Sequence, residues 1–306
     1  MLGYVLRRLG WGIPLLLMVV SAVFLIFALI PGDPAVIYAG ESASPDVVAR
    51  VRHEFGLDRP LYIRYVVYLE QLSRGNLGAS VFSGVSVASQ IQERFGNTLR
   101  LALVSIVVAT IVGISTGVLA AIHKNSLLDH VATTFALAGI SIPGFWLGLL
   151  LIYVFAVELH WFPTGGISGW RSYVLPAALL SVFSTAYCSR ITRSSFLEVI
   201  HQDYITTARA KGVAERLVIL KHALRNAIIP VVTVMGVRLG LMLTGSVITE
   251  TIFAWPGLGR LIVTAVNSRD YPVIQGTLLT FAALFIVVNL FVDVAYVALD
   301  PRIRYQ

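Results

Sequence analysis

The chain holds 306 residues, 57% of them hydrophobic and only 13% charged, with a formal net charge of +7 and a mean hydropathy of +0.82. Water-soluble domains carry roughly 25% charged and about 45–50% apolar residues, so this composition excludes a soluble enzyme, a disordered chain and a disulfide scaffold, and makes lipid the solvent for most of the surface. The one cysteine, Cys188, permits no intrachain disulfide, and in such a chain the placement of positive charge matters more than its sum, which leaves no reason to invoke nucleic acid.

Crossing the hydrocarbon takes about 20 mostly apolar residues. Six stretches meet that need, at 11–30, 99–122, 131–157, 173–189, 228–249 and 278–299. An all-α polytopic membrane protein with six transmembrane helices is therefore expected. Arg7 and Arg8 precede the first stretch as they would a signal sequence. Its apolar run is long for one, no A-x-A site follows, and Pro31-Gly32-Asp33-Pro34 ends it, so it is read as a retained helix. The outer segment 31–97 carries Ser44-Pro45-Asp46, where Ser44 caps a proline-initiated helix over 47–55, and a second amphipathic stretch at 61–72. It reads as a small external lobe joining helix 1 to the other five. Residues 1–97 thus form one unit, and residues 98–306 a five-helix core with a cytoplasmic loop at 190–226.

Pro143 falls within the third stretch and is expected to kink it, because proline removes a donor and crowds the preceding turn. The fourth stretch is the shortest. The loop 190–226 carries Arg190, Arg193, Arg209, Lys211, Arg216, Lys221 and Arg225 against three acids, and the tail adds Arg302 and Arg304. With Arg7 and Arg8 these lie on one side of a six-span chain, which the positive-inside rule makes cytoplasmic: N-in, C-in. Small residues recur four apart at Gly113 and Gly117, Gly144 and Gly148, and Gly236 and Gly240, a spacing that lets helix backbones approach closely.

Charges at membrane depth are costly and mark function by default. Arg238 lies near the middle of the fifth stretch, while Asn289 and Asp293 share a face of the sixth. They are expected either to form an intramembrane pair or to line an aqueous translocation path, and a relay through them also suits a stand-alone secondary transporter or channel. Glu250, at the outer end of the fifth stretch, is expected at the interface. No phosphate-binding G-x-x-x-x-G-K-[ST] loop, H-E-x-x-H or C-x-x-C occurs, so no catalytic or metal site is assigned and any ATP hydrolysis belongs to another chain.

Residues 203–230 read DYITTARAKGVAERLVILKHALRNAIIP: a short helix at 206–211, a turn at Gly212, and a second helical run at 214–224 entering the membrane at Pro230. This is a basic helix–glycine–helix knob. Thr207-Ala208-Arg209-Ala210-Lys211-Gly212, with His222, Arg225-Asn226-Ala227 and Pro230, resembles the cytoplasmic coupling motif of ATP-binding-cassette (ABC) importer permeases. Thr207-Ala208-Arg209 stands where the general motif begins Glu-Ala-Ala, as in the dipeptide/oligopeptide/glutathione/nickel branch. Residues 1–9, Pro31-Gly32-Asp33-Pro34, Phe55-Gly56-Leu57-Asp58, Asn97-Thr98-Leu99, Glu250 with residues 253–260, Arg269-Asp270-Tyr271-Pro272 and Asp300-Pro301-Arg302 resemble the same family in order along nearly the whole chain.

The resemblance implies a permease subunit in a bacterial inner membrane, not itself an enzyme, that imports small peptides, glutathione or chelated nickel. It implies as partners a second homologous permease, two ATP-binding-cassette subunits and an external solute-binding protein. It implies no cofactor on this chain, with ATP and Mg²⁺ used by the partner subunits. The knob at 206–212 would fit a groove in an ATPase subunit, Ala208, Ala210 and Gly212 giving the close fit and Arg209 and Lys211 ion pairs at the rim.

Overall fold

A computed structural model describes residues 2–29, 32–40 and 42–299, in which every regular element is helical. Helix α1 (Leu2–Leu29) is followed by three short helices of the lobe, α2 (Pro34–Ala39), α3 (Pro45–Glu54) and α4 (Leu61–Ser73). Then come α5 (Val87–Ile122), α6 (Leu127–Ser141) and α7 (Gly144–Leu151), the last continuing as a π-helical stretch over Ile152–Glu158. Helix α8 (Arg171–Val199) leads to α9 (Asp203–Ala210), and α10 (Glu215–Leu217) winds through a π-helical stretch, Val218–Ala223, into α11 (Leu224–Ile252). α12 (Leu258–Ser268) and α13 (Tyr271–Leu299) complete the fold.

Five helices are long and apolar enough to cross a membrane, and α6 with α7 makes a sixth crossing if that bent pair is one span. The pair meets at 107°, so the kink expected at Pro143 is a full break. The cause is local: a residue before proline is pushed out of the helical region, and Ile142 sits at φ −80°, ψ 128°. The fourth stretch, read as short, belongs to the 29-residue α8. Its polar residues lowered the apolar count, yet Ser181, Ser184, Ser189 and Thr192 are buried within the bundle. Helix α5 likewise begins at Val87, before the apolar run, so residues 97 and 98 fall inside one helix. Ser44 occupies the N-cap of α3 without a side-chain capping bond, whereas Asp33 caps α2 by accepting the Ala35 amide at 2.9 Å.

The close helix contacts use the glycines. A Cβ on Gly113 would lie 2.5 Å from Cys188 Cβ, and one on Gly117 would lie 2.5 Å from the Ser189 carbonyl oxygen, which brings α5 and α8 to backbone contact. Gly236 presses on Val292 of α13 and Gly148 on Leu179 of α8; Gly144 and Gly240 have looser neighbours, at 3.7 and 3.4 Å.

Two of the buried apolar clusters lie at opposite ends of α5. One joins Val87 and Ile91 of α5 to Leu258, Leu261 and Ala265 of α12 and Val273 of α13. The other joins Val118 and Ala121 of α5, Phe196 of α8, Ile205 and Ala208 of α9 and Ala227 of α11. The basic loop gathers at this second end, the cytoplasmic one.

Candidate functional site

Helix α9 is built to stand still. Its C-terminus closes in a Schellman turn, in which the Val213 amide donates to the Ala208 carbonyl at 3.2 Å and the Gly212 amide to the Arg209 carbonyl at 2.9 Å. That turn requires the φ of +74° that Gly212 adopts. Ile205 and Ala208 anchor the helix in the cluster formed by the inner ends of α5, α8 and α11. Tyr204 accepts a 2.7 Å hydrogen bond from the Asn226 amide of α11. A push on α9 is therefore a push on three membrane helices.

Two readings of the knob change. Ala208 faces its own bundle, because at the helical period it shares Ile205's face, and so does not line an outer groove. Arg209 donates through Nε and an Nη to both oxygens of Glu215, at 3.1 and 2.7 Å, so within the chain its charge already has a partner, and both side chains stay about half exposed. Thr206, Thr207, Ala210, Lys211 and Gly212 form the exposed face. Leu217 and Leu220, each about half exposed, extend it with apolar surface that the motif-based reading passed over.

At the middle of α11, the Arg238 guanidinium lies 3.5 Å from the centre of the Tyr187 ring on α8, a cation–π contact. It points away from α13, where Asn289 donates to the Phe285 carbonyl of its own helix at 2.8 Å. The expected pairing of Arg238 with Asn289 is thus replaced by the stack on Tyr187. Two residues separate Arg238 from Gly236, about 200° around the helix, and Gly236 is the position that meets α13. The Asp293 side chain lies outside the described residues, as do Pro31, residues 300–302 and Arg304.

Glu250, at the outer end of α11, is enclosed by protein. It is fully buried, accepting Thr98 Oγ1 at 2.7 Å, Ser246 Oγ at 3.1 Å and the amides of Gly259 and Arg260 at 2.6 and 3.2 Å. α12 folds back so that its first amides meet this carboxylate, the partner a helix N-terminus favours. The Leu258 amide donates to Thr98 Oγ1 at 2.8 Å, Asn97 donates to the Pro256 carbonyl at 2.9 Å, and Trp255 Nε1 donates to the Asn97 carbonyl at 3.2 Å. The motifs at 97–99 and 250–260 are therefore one assembly at the outer end, where Gly257 and Gly259 leave the carboxylate room. An ion pair between buried Asp129 and partly exposed Arg193 ties α6 to α8 through two 2.7 Å hydrogen bonds. By sequence Arg193 is one more basic loop residue, because nothing at a spacing of 64 signals a pair. No group of three or more metal-ligating side chains occurs among the described residues.

Two family profiles match the chain: binding-protein-dependent transport system inner membrane component over residues 113–305, and the N-terminal component of such systems over residues 1–102. The glutathione transport system permease protein GsiC of Escherichia coli O6:H1 strain CFT073 is 49% identical over 306 residues, covering all of both chains. GsiC of Escherichia coli K12 and of Salmonella typhi are each 48% identical over the same full length. Among solved structures, an inward-facing MetNI methionine ABC transporter aligns with TM-score 0.61 at 19% identity, covering 70% of this chain and 97% of that one. An amino acid ABC transporter with histidines aligns with TM-score 0.51 at 18% identity, over 77% and 98%. At those identities the likeness is one of fold.

Proposed function

The chain belongs to the family of inner membrane components of binding-protein-dependent transport systems, and from that premise we propose that it is the permease through which an ATP-driven importer takes up glutathione. As a multi-pass inner-membrane permease it is not itself an ATPase. The full-length 49% identity to a glutathione permease carries the choice of solute. Arg238, half-buried over Tyr187 at mid-membrane, supports it, since a path lined by a cation suits an anionic peptide.

In this reading the chain pairs with a second homologous permease, an external binding protein delivers the solute, and two ATP-binding-cassette subunits using ATP and Mg²⁺ lie beneath. Thr207, Ala210, Lys211 and Gly212 form the face that meets an ATPase subunit; Ala208 fixes that face to the bundle, and Arg209 braces the knob through Glu215. Closure of the ATPases displaces α9, and α5, α8 and α11 move with it because Ile205, Ala208 and Tyr204 are anchored among them. Arg238, Asn289 and Asp293 are the path candidates.

The test is uptake of labelled glutathione, a dipeptide series and chelated nickel in cells with and without the chain, with ATP supply varied. ATP-dependent glutathione uptake lost on deletion supports the reading. Loss of another solute's uptake instead moves the substrate, and uptake that follows the proton gradient overturns the importer reading. Lys211→Glu or Ala210→Arg should abolish uptake while membrane insertion persists. Ala208 is unsuitable for that experiment, because it is buried in the chain's own core.

A further inference from the structure

At the outer face, the lobe and the ends of α1 and α13 enclose a cavity of 360 Å³, within the roughly 300–1,000 Å³ of small-ligand sites. Phe24, Phe27 and Ala28 of α1 make its apolar floor, and Arg59 and Arg64 stand in its wall with Glu54 as the acid. Neither arginine has an ion-pair partner among the described residues. The neighbouring acids are engaged elsewhere: Asp58 accepts from His53 Nδ1 at 2.8 Å, and Asp33 holds Arg52. Two positive charges thus face one negative. Tyr68 also lines the cavity, and its buried hydroxyl has no hydrogen-bond partner among the described residues.

One set of contacts fixes where the lobe meets α1. Ser21 of α1 shares a 2.5 Å hydrogen bond with Tyr65 of α4, and the Phe24 ring lies 5.1 and 5.7 Å from the rings of Tyr65 and Tyr68. The apolar part of α1 is described over Gly10–Leu29, and Ser21 lies eight residues before its end, about 12 Å along the helix. α4 therefore lies beside the outer part of an apolar membrane helix. Tyr62 and Val66, 70% and 60% exposed, point outward from it, as side chains at a lipid interface do. The cavity thus combines an apolar floor supplied by a membrane helix with two guanidinium groups in its wall.

We propose that this cavity binds the phosphate of an anionic phospholipid of the outer leaflet. Arg64 and Arg59 hold the phosphate oxygens, Tyr68 donates its hydroxyl to the headgroup, and an acyl chain runs along Phe24 and Phe27. Arginine suits this task because its fork matches phosphate geometry, and its aliphatic stem lies along apolar surface while the charge reaches the headgroups.

The test uses the full chain purified with the subunits it assembles with, exchanged into micelles holding equal phosphatidylglycerol and phosphatidylcholine. Retained lipid is then counted by mass spectrometry. Phosphatidylglycerol should be enriched roughly tenfold over phosphatidylcholine, and the Arg59→Gln/Arg64→Gln variant should bring the ratio close to unity. An unchanged ratio in an assembled variant overturns the proposal. Should that variant not assemble, Gln71→Glu, which adds a negative charge to the cavity wall, must lower the ratio, and no change there overturns it equally. Glycerol 3-phosphate is the soluble arm: if millimolar amounts displace the lipid and raise the melting temperature as much, the occupant is a free organophosphate and the lipid assignment fails.

Discussion

The Glu250 carboxylate accepts the backbone amide of Gly259 at 2.6 Å, so a side chain of one membrane helix is the N-terminal cap of the next. The same carboxylate holds Thr98 of α5 and Ser246, which makes the outer end of the bundle a closed polar network in an apolar setting. Glu250→Ala leaves the Thr98 hydroxyl and two amides without an acceptor, while Ser246 keeps the Leu243 carbonyl; each loss costs about 1–3 kcal/mol, and we expect roughly 3 kcal/mol or more in all. Gly257→Ala should act in the same direction, since its Cβ meets the carboxylate itself. Thermal unfolding of the purified assembly checks both, and a melting temperature equal to the parent's contradicts the network.

Asp129 and Arg193 lock α6 to α8 at the inner end. Asp129 is almost fully buried and also accepts the Asn125 amide at 3.0 Å. Removing one member of a buried pair costs about 3–5 kcal/mol, and with Arg193 partly exposed we expect Asp129→Ala to lie near the lower limit. Arg193→Lys keeps the charge and loses the fork, so about half that loss is expected. The ratio of the two unfolding shifts is the measurement, and equal losses would show that charge alone matters.

Gly117→Val should separate α5 from α8. Its first side-chain carbon already collides with the Ser189 carbonyl at 2.5 Å and with Thr192 Cβ at 2.7 Å. Overpacking costs typically about 1–3 kcal/mol, and backbone contact places this site at the top of that range. Gly144→Ala, with its nearest neighbour at 3.7 Å, should be near neutral. Comparing the yield of folded protein for the two substitutions tests whether glycine spacing or actual contact decides.

In the lobe, Arg52 holds the Asp33 carboxyl below the usual aspartate range, and Asp33 caps α2. A depressed folded-state value means the stabilisation is complete above the unfolded value, near pH 3.9, and is lost as pH falls through the lower folded value. Both side chains are substantially exposed, so the pair and cap together contribute about 1 kcal/mol. Asp33→Asn should lower the melting temperature at pH 7, and its difference from the parent should shrink to nothing in strong acid. A difference that persists there rules out this linkage.

Some motifs were legible because their residue types have few structural uses. Gly212 after Ala-Lys predicted a turn, and it makes one. Asn97-Thr98 and Glu250 through Arg260 were recognised separately; only folding shows that they meet, because 152 residues separate Thr98 from the carboxylate it binds. For Arg238 the sequence offers either a polar partner on α13 or an aqueous path; a tyrosine on α8 supplies a face that no charge pattern marks.

The apolar excess and the placement of its apolar runs by themselves determined a multi-span helical membrane chain, because transfer into lipid depends on local composition and not on which helices touch. The family followed from ordered short motifs for a similar reason, each being a local backbone or surface requirement. Only the tertiary structure decided which glycines bear on a neighbour, that α6 and α7 break at 107°, that Ala208 faces inward and that Glu250 is buried. These depend on the distances between elements far apart in the chain, and hydrophobic periodicity records that a face is buried without recording what buries it.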